Sequence, residues 1–176
     1  MRITGGTLKG RVLTFPVSTG VRPTSSRVRE ALFSILGNHL AGSTWLDAFG
    51  GAGLTAIEAV SRGAEVTVFE KNGRAYRDIV SRGHAFDIVW TVKKCDVIRN
   101  PPPEGTFDIV FIDPPYALDI VPILDVLAPV AIRTIVVESE TKRCPPERLC
   151  GFYRDRQRTY GNSSLTVYQR DTVVGP

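Results

Sequence analysis

From residue 44 onward, short apolar stretches alternate with segments of helical periodicity, and this alternation constrains the fold more than any other feature. The predicted strands are 44–49, 65–70, 88–93, 107–112 and 134–139, and the predicted helices between them are 54–62, 74–82 and 120–127. Short apolar strands joined by helical crossovers are typical of a parallel sheet covered by helices on both faces. We therefore expect one α/β domain, which suits a chain of 176 residues.

Different patterns flank this alternation. Residues 1–23 alternate between apolar and polar with glycines at the turns, which predicts a short hairpin extension. Apolar spacing from Val28 to Leu40 predicts a helix that ends at Gly42. Residues 149–153 and 165–170, around the turn signal Gly161-Asn162, predict a closing pair of strands. The expected organisation is a basic hairpin extension over 1–23, a main domain over 24–170 and a tail over 171–176.

The composition argues against several classes of protein. With three cysteines, two histidines and no C-x-x-C spacing, the chain shows neither a disulfide framework nor a zinc signature, and we expect no metal. No stretch approaches the roughly 18 apolar residues that cross a bilayer. The first ten residues also lack the apolar centre of a signal peptide. We expect a cytoplasmic protein that does not contact membranes.

The net charge of +4 is unevenly distributed. Residues 1–30 carry six basic side chains against one acid, and residues 142–170 carry seven against two. Arginine dominates both blocks, and its guanidinium can bind two phosphate oxygens at once. This asymmetry suggests a polyanionic partner, although two solvated faces would give the same pattern.

A glycine-rich turn follows the first predicted strand of the main domain. The residues Gly50-Gly51-Ala52-Gly53 separate strand 44–49 from a helix, which is the arrangement of a nucleotide-binding unit. Glu70 ends the next strand, where a carboxylate can accept ribose hydroxyls. A dinucleotide and S-adenosylmethionine would both fit, and so would a tight turn without a ligand. Asp47 favours S-adenosylmethionine, because a carboxylate there could hold an ammonium group but would repel a pyrophosphate.

The tetrapeptide Asp113-Pro114-Pro115-Tyr116 follows the buried strand 107–112. Ligands of open parallel sheets bind beyond the carboxyl ends of the strands, so this segment should share a cleft with the glycine turn. The Asp113 carboxylate and the Pro114 carbonyl can each accept one N–H of an exocyclic amine, which aims the nitrogen lone pair at a methyl group. Tyr116 offers a face for stacking a base that has left its helix. The segment therefore predicts an amino-methyltransferase site, although Asp and Pro also occur in ordinary turns.

The D-x-F-x-G-x-G turn and the DPPY tetrapeptide resemble the class I S-adenosylmethionine-dependent amino-methyltransferases. The flanking segments resemble one branch of them, the RsmD-type small-subunit ribosomal RNA guanine-N2 methyltransferases. The segments that carry this resemblance are Ile3-Thr4-Gly5-Gly6, Gly10-Arg11, Arg22-Pro23-Thr24, 27–33, 58–64 and 160–168. The resemblance therefore extends over nearly the whole chain.

The resemblance implies a Rossmann-like class I methyltransferase fold with a mostly parallel seven-stranded sheet, a last strand that is antiparallel, and helices on both faces. It implies methyl transfer from S-adenosylmethionine to the N2 amine of a guanine in 16S rRNA, within a 30S particle or an assembly intermediate. We expect the enzyme to act as a monomer.

The resemblance also implies residue roles. The implied cofactor site, with Asp96 near the adenine amine, consists of Asp47, Phe49, Gly51, Gly53, Glu70, Lys71, Asp96 and Val97. The implied catalytic residues around the target base are Asp113, Pro114, Pro115 and Tyr116. The expected RNA contacts are Arg2, Lys9, Arg11, Arg22, Thr24, Arg27 and Arg29.

Some features leave alternatives open. The chain departs from the usual family pattern at Ser26, Ser34, Gly50, Ala52 and Ala56. The same chemistry could act on adenine-N6 or cytosine-N4 of DNA, or on a protein glutamine, although a chain this short has no room for a separate target-recognition domain. The G-x-G-x-x-A spacing also permits a nicotinamide-dependent oxidoreductase. A non-catalytic RNA-binding relative is a further alternative.

Overall fold

The computed structural model describes residues 2–13, 25–37 and 40–171. The elements, in chain order, are α1 (Ser26–Leu36), β1 (Thr44–Asp47), α2 (Leu54–Ser61), β2 (Glu65–Phe69), α3 (Gly73–Ala85), β3 (Thr91–Lys93), β4 (Phe107–Ile112), α4 (Ile120–Leu127), a 3-10 turn (Ala128–Val130), β5 (Ala131–Glu140), β6 (Arg148–Leu149), β7 (Phe152–Tyr160) and β8 (Ser163–Arg170).

The strands form one mixed sheet in the order β3-β2-β1-β4-β5-β8-β7-β6. Strands β1 to β5 pair in parallel, and β8 returns antiparallel between β5 and β7. This arrangement confirms the expected α/β fold with a mostly parallel sheet. The strand order reverses between β1 and β4, and a crevice for ligands forms at such a reversal.

The expectation of seven strands was wrong by one. Residues 149–153, predicted as a single strand, contain a reversal at Gly151, whose φ is 73°. Arg148 and Leu149 therefore fold back as the short edge strand β6 on the first residues of β7. The strand β7 then continues to Tyr160, well past the predicted end.

The helix α1 is shorter than its apolar spacing predicted. It begins after Ser25, whose hydroxyl accepts a hydrogen bond of 3.2 Å from the Val28 N–H. It ends at Leu36 rather than near Gly42, because Gly37 adopts a φ of 82° that no helix continues.

Apolar layers cover both faces of the sheet. The helices α1, α2 and α3 cover one face, where Trp45, Val68 and Phe111 are buried. The helix α4 covers the opposite face, where Leu46 and Val110 are buried. Neighbouring residues of one strand thus serve opposite layers, as the period of two in a strand requires. Burial on both faces holds the strand ends, and the loops that follow them, in fixed positions.

Within the predicted hairpin extension, residues 2–13 form an antiparallel turn. The Ile3 N–H donates to the Arg11 carbonyl at 3.0 Å, and a single bridge joins Arg2 to Val12. Ile3 and Leu13 pack against apolar side chains of α2. Residues 14–24 and 172–176 lie outside the described residues, so the domain boundaries expected after residues 23 and 170 stay predictions.

Among the described residues, no helix is both long enough and apolar enough to cross a bilayer.

Candidate active site

A cavity of about 740 Å³ opens at the carboxyl ends of the parallel strands. Small-molecule sites commonly enclose about 300–1,000 Å³. Six strands bring a polar side chain to it, namely Asp47, Glu70, Asp96, Asp113, Glu138 and Ser163. The cavity therefore lies where the order of the strands reverses.

The glycine turn forms one wall of this cavity. Gly51 and Gly53 have φ values of 51° and 70°, in the left-handed region that favours glycine. The Gly50 N–H donates to the Phe69 carbonyl at 2.8 Å, which ties the turn to the end of β2. Gly53 is buried at the start of α2 and is the one predicted cofactor residue that does not line the cavity.

Glu70 links this turn to the start of α3. One carboxylate oxygen accepts the Gly51 N–H at 2.7 Å, and the other accepts the Asn72 N–H at 2.6 Å. The carboxylate thus has a fixed orientation at the edge of the cavity. A carboxylate has about four lone-pair sites, so two donors leave it able to accept hydroxyls.

Asp47 lies at the base of the cavity with 2% of its surface exposed. Its Oδ1 accepts the Phe49 N–H at 3.3 Å. Burial raises the pKa of Asp47 from its usual 3.8 to about 7; the Phe49 N–H opposes this increase, and the charge of Glu70 adds to it. A cationic group beside Asp47 would relieve the cost of its buried charge.

Asp96 and Lys71 lie on the β3 side of the cavity. The Asp96 Oδ1 accepts the Ile98 N–H at 3.1 Å, and its Oδ2 lies 3.9 Å from the Lys71 Nζ. Val97 beside them is buried and contributes an apolar surface. This corner combines an apolar wall with a hydrogen-bond acceptor, which suits a heterocycle that carries an amine.

The segment from Asp113 to Tyr116, which follows β4, also lines the cavity. Pro114 is buried, whereas Pro115 is exposed at the rim. The Tyr116 hydroxyl lies 2.8 Å from the Ser163 Oγ, at the first residue of β8. The structure thus brings all four predicted catalytic residues to the cavity that the glycine turn and Glu70 also line.

Several residues of this cavity were not predicted from the sequence. Glu138 is 4% exposed within the apolar strand β5, and an acid in such a strand was a signal that could have been used. The turn between β7 and β8 lines the cavity through Tyr160, Gly161, Asn162 and Ser163. Nothing in the local sequence indicates that this turn lines the same cavity as the glycine turn.

A second groove, of about 660 Å³, separates the N-terminal segment from α1. Arg2, Lys9 and Arg62 line it, together with Ser26 and Ser34, two positions that depart from the family pattern. Of the predicted RNA contacts, those on exposed positions are Arg2, Lys9, Arg11 and Arg27. Arg22 and Thr24 lie outside the described residues.

Arg29 does not fit the predicted RNA contact. Its side chain is 1% exposed and forms a 3.1 Å ion pair with Glu58, which is equally buried. It also donates to the Arg2 carbonyl at 3.1 Å. A guanidinium enclosed in this way cannot reach a phosphate, so we assign Arg29 to the internal structure.

Most basic side chains of the second block, residues 142–170, form ion pairs or hydrogen bonds within the domain. Arg148, Arg154 and Arg156 pair with acidic side chains. Arg143 and Arg170 donate to backbone carbonyls. Five of its seven basic side chains thus have internal partners, which favours the N-terminal block as the surface for a polyanion.

Comparison with known proteins gives consistent matches. The family model described as "Conserved hypothetical protein 95" matches residues 1–169. Over 97% of its length the chain is 31% identical to the ribosomal RNA small subunit methyltransferase D of Escherichia coli K12, of which the alignment covers 90%. The solved structure of yhhF from Escherichia coli matches with a TM-score of 0.82 at 29% identity, over 97% of each chain. A SAM dependent methyltransferase from Aquifex aeolicus matches with a TM-score of 0.63 at 19% identity, over 83% of this chain and 93% of that one, which shows a shared fold.

Proposed function

Because the chain belongs to the "Conserved hypothetical protein 95" family, that of the RsmD-type methyltransferases, we propose that it methylates small-subunit ribosomal RNA. The methyl group comes from S-adenosylmethionine and goes to the exocyclic N2 amine of a guanine. One observation carries this proposal: the segment Asp113 to Tyr116 lines the same cavity as the glycine turn and Glu70. A base-binding segment and a nucleoside-binding turn therefore face one space.

The residues of the cavity fit S-adenosylmethionine in charge and in shape. Asp47 is a buried carboxylate with a raised pKa, which a ligand ammonium would stabilise in its charged form. Glu70 accepts hydrogen bonds from the ribose hydroxyls. Asp96 accepts a hydrogen bond from the adenine amine, next to the apolar side chain of Val97. A side chain on Gly50 would place its Cβ 2.5 Å from the Val68 Cγ1, so the turn is packed tightly behind the ligand space.

In this proposal the target base is held by the segment from Asp113 to Tyr116. When bound, S-adenosylmethionine would supply the methyl group of its sulfonium to the guanine N2, leaving S-adenosylhomocysteine, and the methylated nitrogen would release one proton to solvent. The Asp113 carboxylate accepts a hydrogen bond from one N–H of the guanine N2 amine, and the Pro114 carbonyl accepts a hydrogen bond from the other. These two acceptors hold the nitrogen in line with the methyl group, so that the residues act mainly by positioning. Tyr116 stacks on the base that has left its helix.

The RNA backbone contacts the exposed side chains of the N-terminal block, namely Arg2, Lys9, Arg11 and Arg27. Phosphate contacts of this kind orient a nucleic acid without reading its sequence. We propose that a single copy of the chain acts on a 30S particle or an assembly intermediate, where the surrounding structure presents one guanine. Such a substrate would place the enzyme in the cytoplasm.

A radiolabelled methyl-transfer assay tests this function. The substrates are 30S particles that lack guanine-N2 methyl groups, free 16S rRNA and duplex DNA, assayed in parallel. We expect label in the 30S RNA, mapped to the N2 of a guanine. Label found only in DNA or in protein would refute the proposed substrate, although the chemistry of the cavity would stand.

The variant Asp113→Ala tests whether Asp113 positions the guanine N2 amine. We expect at least about a 100-fold loss of kcat, as when a positioned group is removed from a transition state, with the affinity for S-adenosylhomocysteine retained. Asp125→Ala is the matched control, because Asp125 is exposed on α4 and lies outside the cavity lining. If Asp113→Ala methylated RNA at the rate of the unmodified protein, the proposed role would be wrong.

A further inference from the structure

We propose that Ser163 and Arg143 are positioning residues, which hold Tyr116 in the orientation that stacks the target base. This inference rests on the proposed function. Neither residue belongs to the DPPY segment, and both reach it from the antiparallel part of the chain. They would act on the base through Tyr116.

Ser163 holds the outer end of the tyrosine ring. Its Oγ lies 2.8 Å from the Tyr116 hydroxyl, and its own side chain is 9% exposed as the first residue of β8. Ser163 pairs with Glu140 of β5 and Tyr160 of β7, so strands on both sides fix its position. A ring held at its hydroxyl cannot swing freely about its side-chain bonds. The plane available for stacking is therefore set before the base arrives.

Arg143 holds the backbone of the same segment. Its guanidinium donates through one nitrogen to the Tyr116 carbonyl and through the other to the Leu118 carbonyl. Two donations from one rigid fork fix both the position and the direction of this backbone. A lysine at this position could not donate to two carbonyls in the same geometry.

The two prolines explain why external anchors are needed. Pro114 and Pro115 have no backbone N–H, so the segment has few donors with which to hold itself. Within the segment, the Leu118 N–H donates to the Pro115 carbonyl at 2.9 Å. Donors from outside the segment also hold residues 113–118, and Arg143 supplies two of them.

The loop of residues 141–143, which contains Arg143, also forms hydrogen bonds with the turn between β7 and β8. The Thr141 N–H donates to the Asn162 carbonyl, and its hydroxyl donates to the Gly161 carbonyl, both at 2.9 Å. Residues 141–143 thus bind both the segment 113–118 and the turn between β7 and β8. Displacing this loop would move Tyr116 and Ser163 together.

A double-mutant cycle tests the contact between Ser163 and Tyr116. The variants are Tyr116→Phe, Ser163→Ala and their combination, assayed for kcat and for KM with 30S particles. We expect each single variant to lower kcat/KM for RNA about three- to tenfold, the worth of one hydrogen bond. The double variant should be no worse than the more impaired single variant. Ser163→Thr, which keeps the hydroxyl, should recover most of the rate, and the affinity for S-adenosylhomocysteine should not change.

Arg143→Lys tests the second anchor with the charge retained. We expect at least a tenfold loss of kcat, because small misplacements of a positioned group lower rates steeply. Arg148→Lys is the matched control, since the Arg148 side chain is 73% exposed and pairs with Asp171 away from the cavity. Purely additive losses in the cycle, or full activity of Arg143→Lys, would overturn the proposal.

A measurement without RNA separates this inference from the proposed function. Protein labelled with 3-fluorotyrosine gives one ¹⁹F signal for each of its five tyrosines, and Tyr116→Phe identifies the signal of Tyr116. We expect Ser163→Ala and Arg143→Lys to shift or broaden that signal, with the other signals largely unchanged. If the Tyr116 signal does not respond, the positioning role fails even where 30S particles are methylated. If it responds but no RNA is methylated, the contacts stand and the substrate is wrong.

Discussion

Arg29 and Glu58 form an ion pair of 3.1 Å although each side chain is only 1% exposed. Glu58 also accepts a hydrogen bond of 2.7 Å from the Thr4 N–H, and it pairs with Arg62, the residue that directly follows α2. One buried carboxylate therefore joins α1, α2 and the N-terminal segment. Removing a single partner of such a network leaves the others buried and charged.

Glu58→Gln should lower the free energy of unfolding by about 3–5 kcal/mol, the usual cost of breaking a buried ion pair. The amide keeps the shape of the side chain but leaves two buried guanidinium groups without a countercharge. Urea unfolding measures the change, and Glu65→Gln at the exposed start of β2 is the control. A loss below about 1 kcal/mol, as surface pairs give, would contradict this account.

Asp47 should make the ligand-free protein less stable as the pH rises. Its pKa is about 7 in the folded state against a usual 3.8, so between these values the unfolded chain has released a proton that the folded protein keeps. The stabilising effect of the protonated carboxyl is complete below about pH 4 and is lost by about pH 7. Asp47→Asn should thus be more stable than the unmodified protein at pH 8, by up to about 4 kcal/mol, and equal to it at pH 4.

The affinity for S-adenosylhomocysteine should also depend on pH through Asp47, but it should increase as the pH rises. An ammonium beside Asp47 favours the charged carboxylate, so binding should weaken as the pH falls below about 7. Asp47→Asn should bind more weakly at pH 8 and should lose this pH dependence. Calorimetry over pH 5–8 measures both effects, with Asp125→Asn as the control. An unchanged pH profile in Asp47→Asn would mean that the ammonium binds elsewhere.

Gly53→Ala should weaken cofactor binding at least tenfold. The residue has a φ of 70°, and its new Cβ would lie 3.2 Å from the Ile79 Cγ1, so the start of α2 and the glycine turn would have to move. Gly105→Ala is a matched control, because Gly105 has a φ of 60° in open space away from the cavity. Both variants should lose about 1–2 kcal/mol of stability from the strained conformation. Equal cofactor affinities in the two variants would contradict the assigned role of the turn.

Lys9→Ala and Arg27→Ala should each weaken rRNA binding and reduce its dependence on salt. The loss of one phosphate contact lowers the slope of log Kd against log salt by about 1. Arg148→Ala removes the same charge from the second block, where Arg148 pairs with Asp171, and should leave the slope unchanged. Filter binding at several salt concentrations distinguishes the two blocks. Equal effects from both would restore the second block as an RNA surface.

The sequence predicted those parts of the molecule that depend on local pattern. The strand before the glycine turn, the helix after it and the segment 113–116 follow from alternation and turn chemistry within a few residues. The topology of a parallel sheet then brings their ends to one edge. For this reason Asp47, Glu70 and Asp113 could be expected in one cavity from the sequence alone.

Contacts between distant positions were not predictable in this way. Ser163 meets Tyr116 across 47 positions of the chain, and Glu58 meets Thr4 across 54. No local pattern marks such pairs, since each residue alone suits an ordinary surface position. The same limit explains Arg29, whose neighbours in sequence suggested a basic surface although α1 turns its side chain inward.

The contact of the N-terminal segment with α2 determines how its role can be studied. Ile3 and Leu13 share an apolar cluster with Leu54 and Ile57, which are 3% and 0% exposed. Deleting the segment would uncover these side chains and take away the Thr4 N–H that Glu58 accepts. A truncated chain would then aggregate or unfold for reasons unrelated to RNA. In this protein the N-terminal segment is part of the folded domain. Only single substitutions on its outer surface can separate RNA recognition from folding.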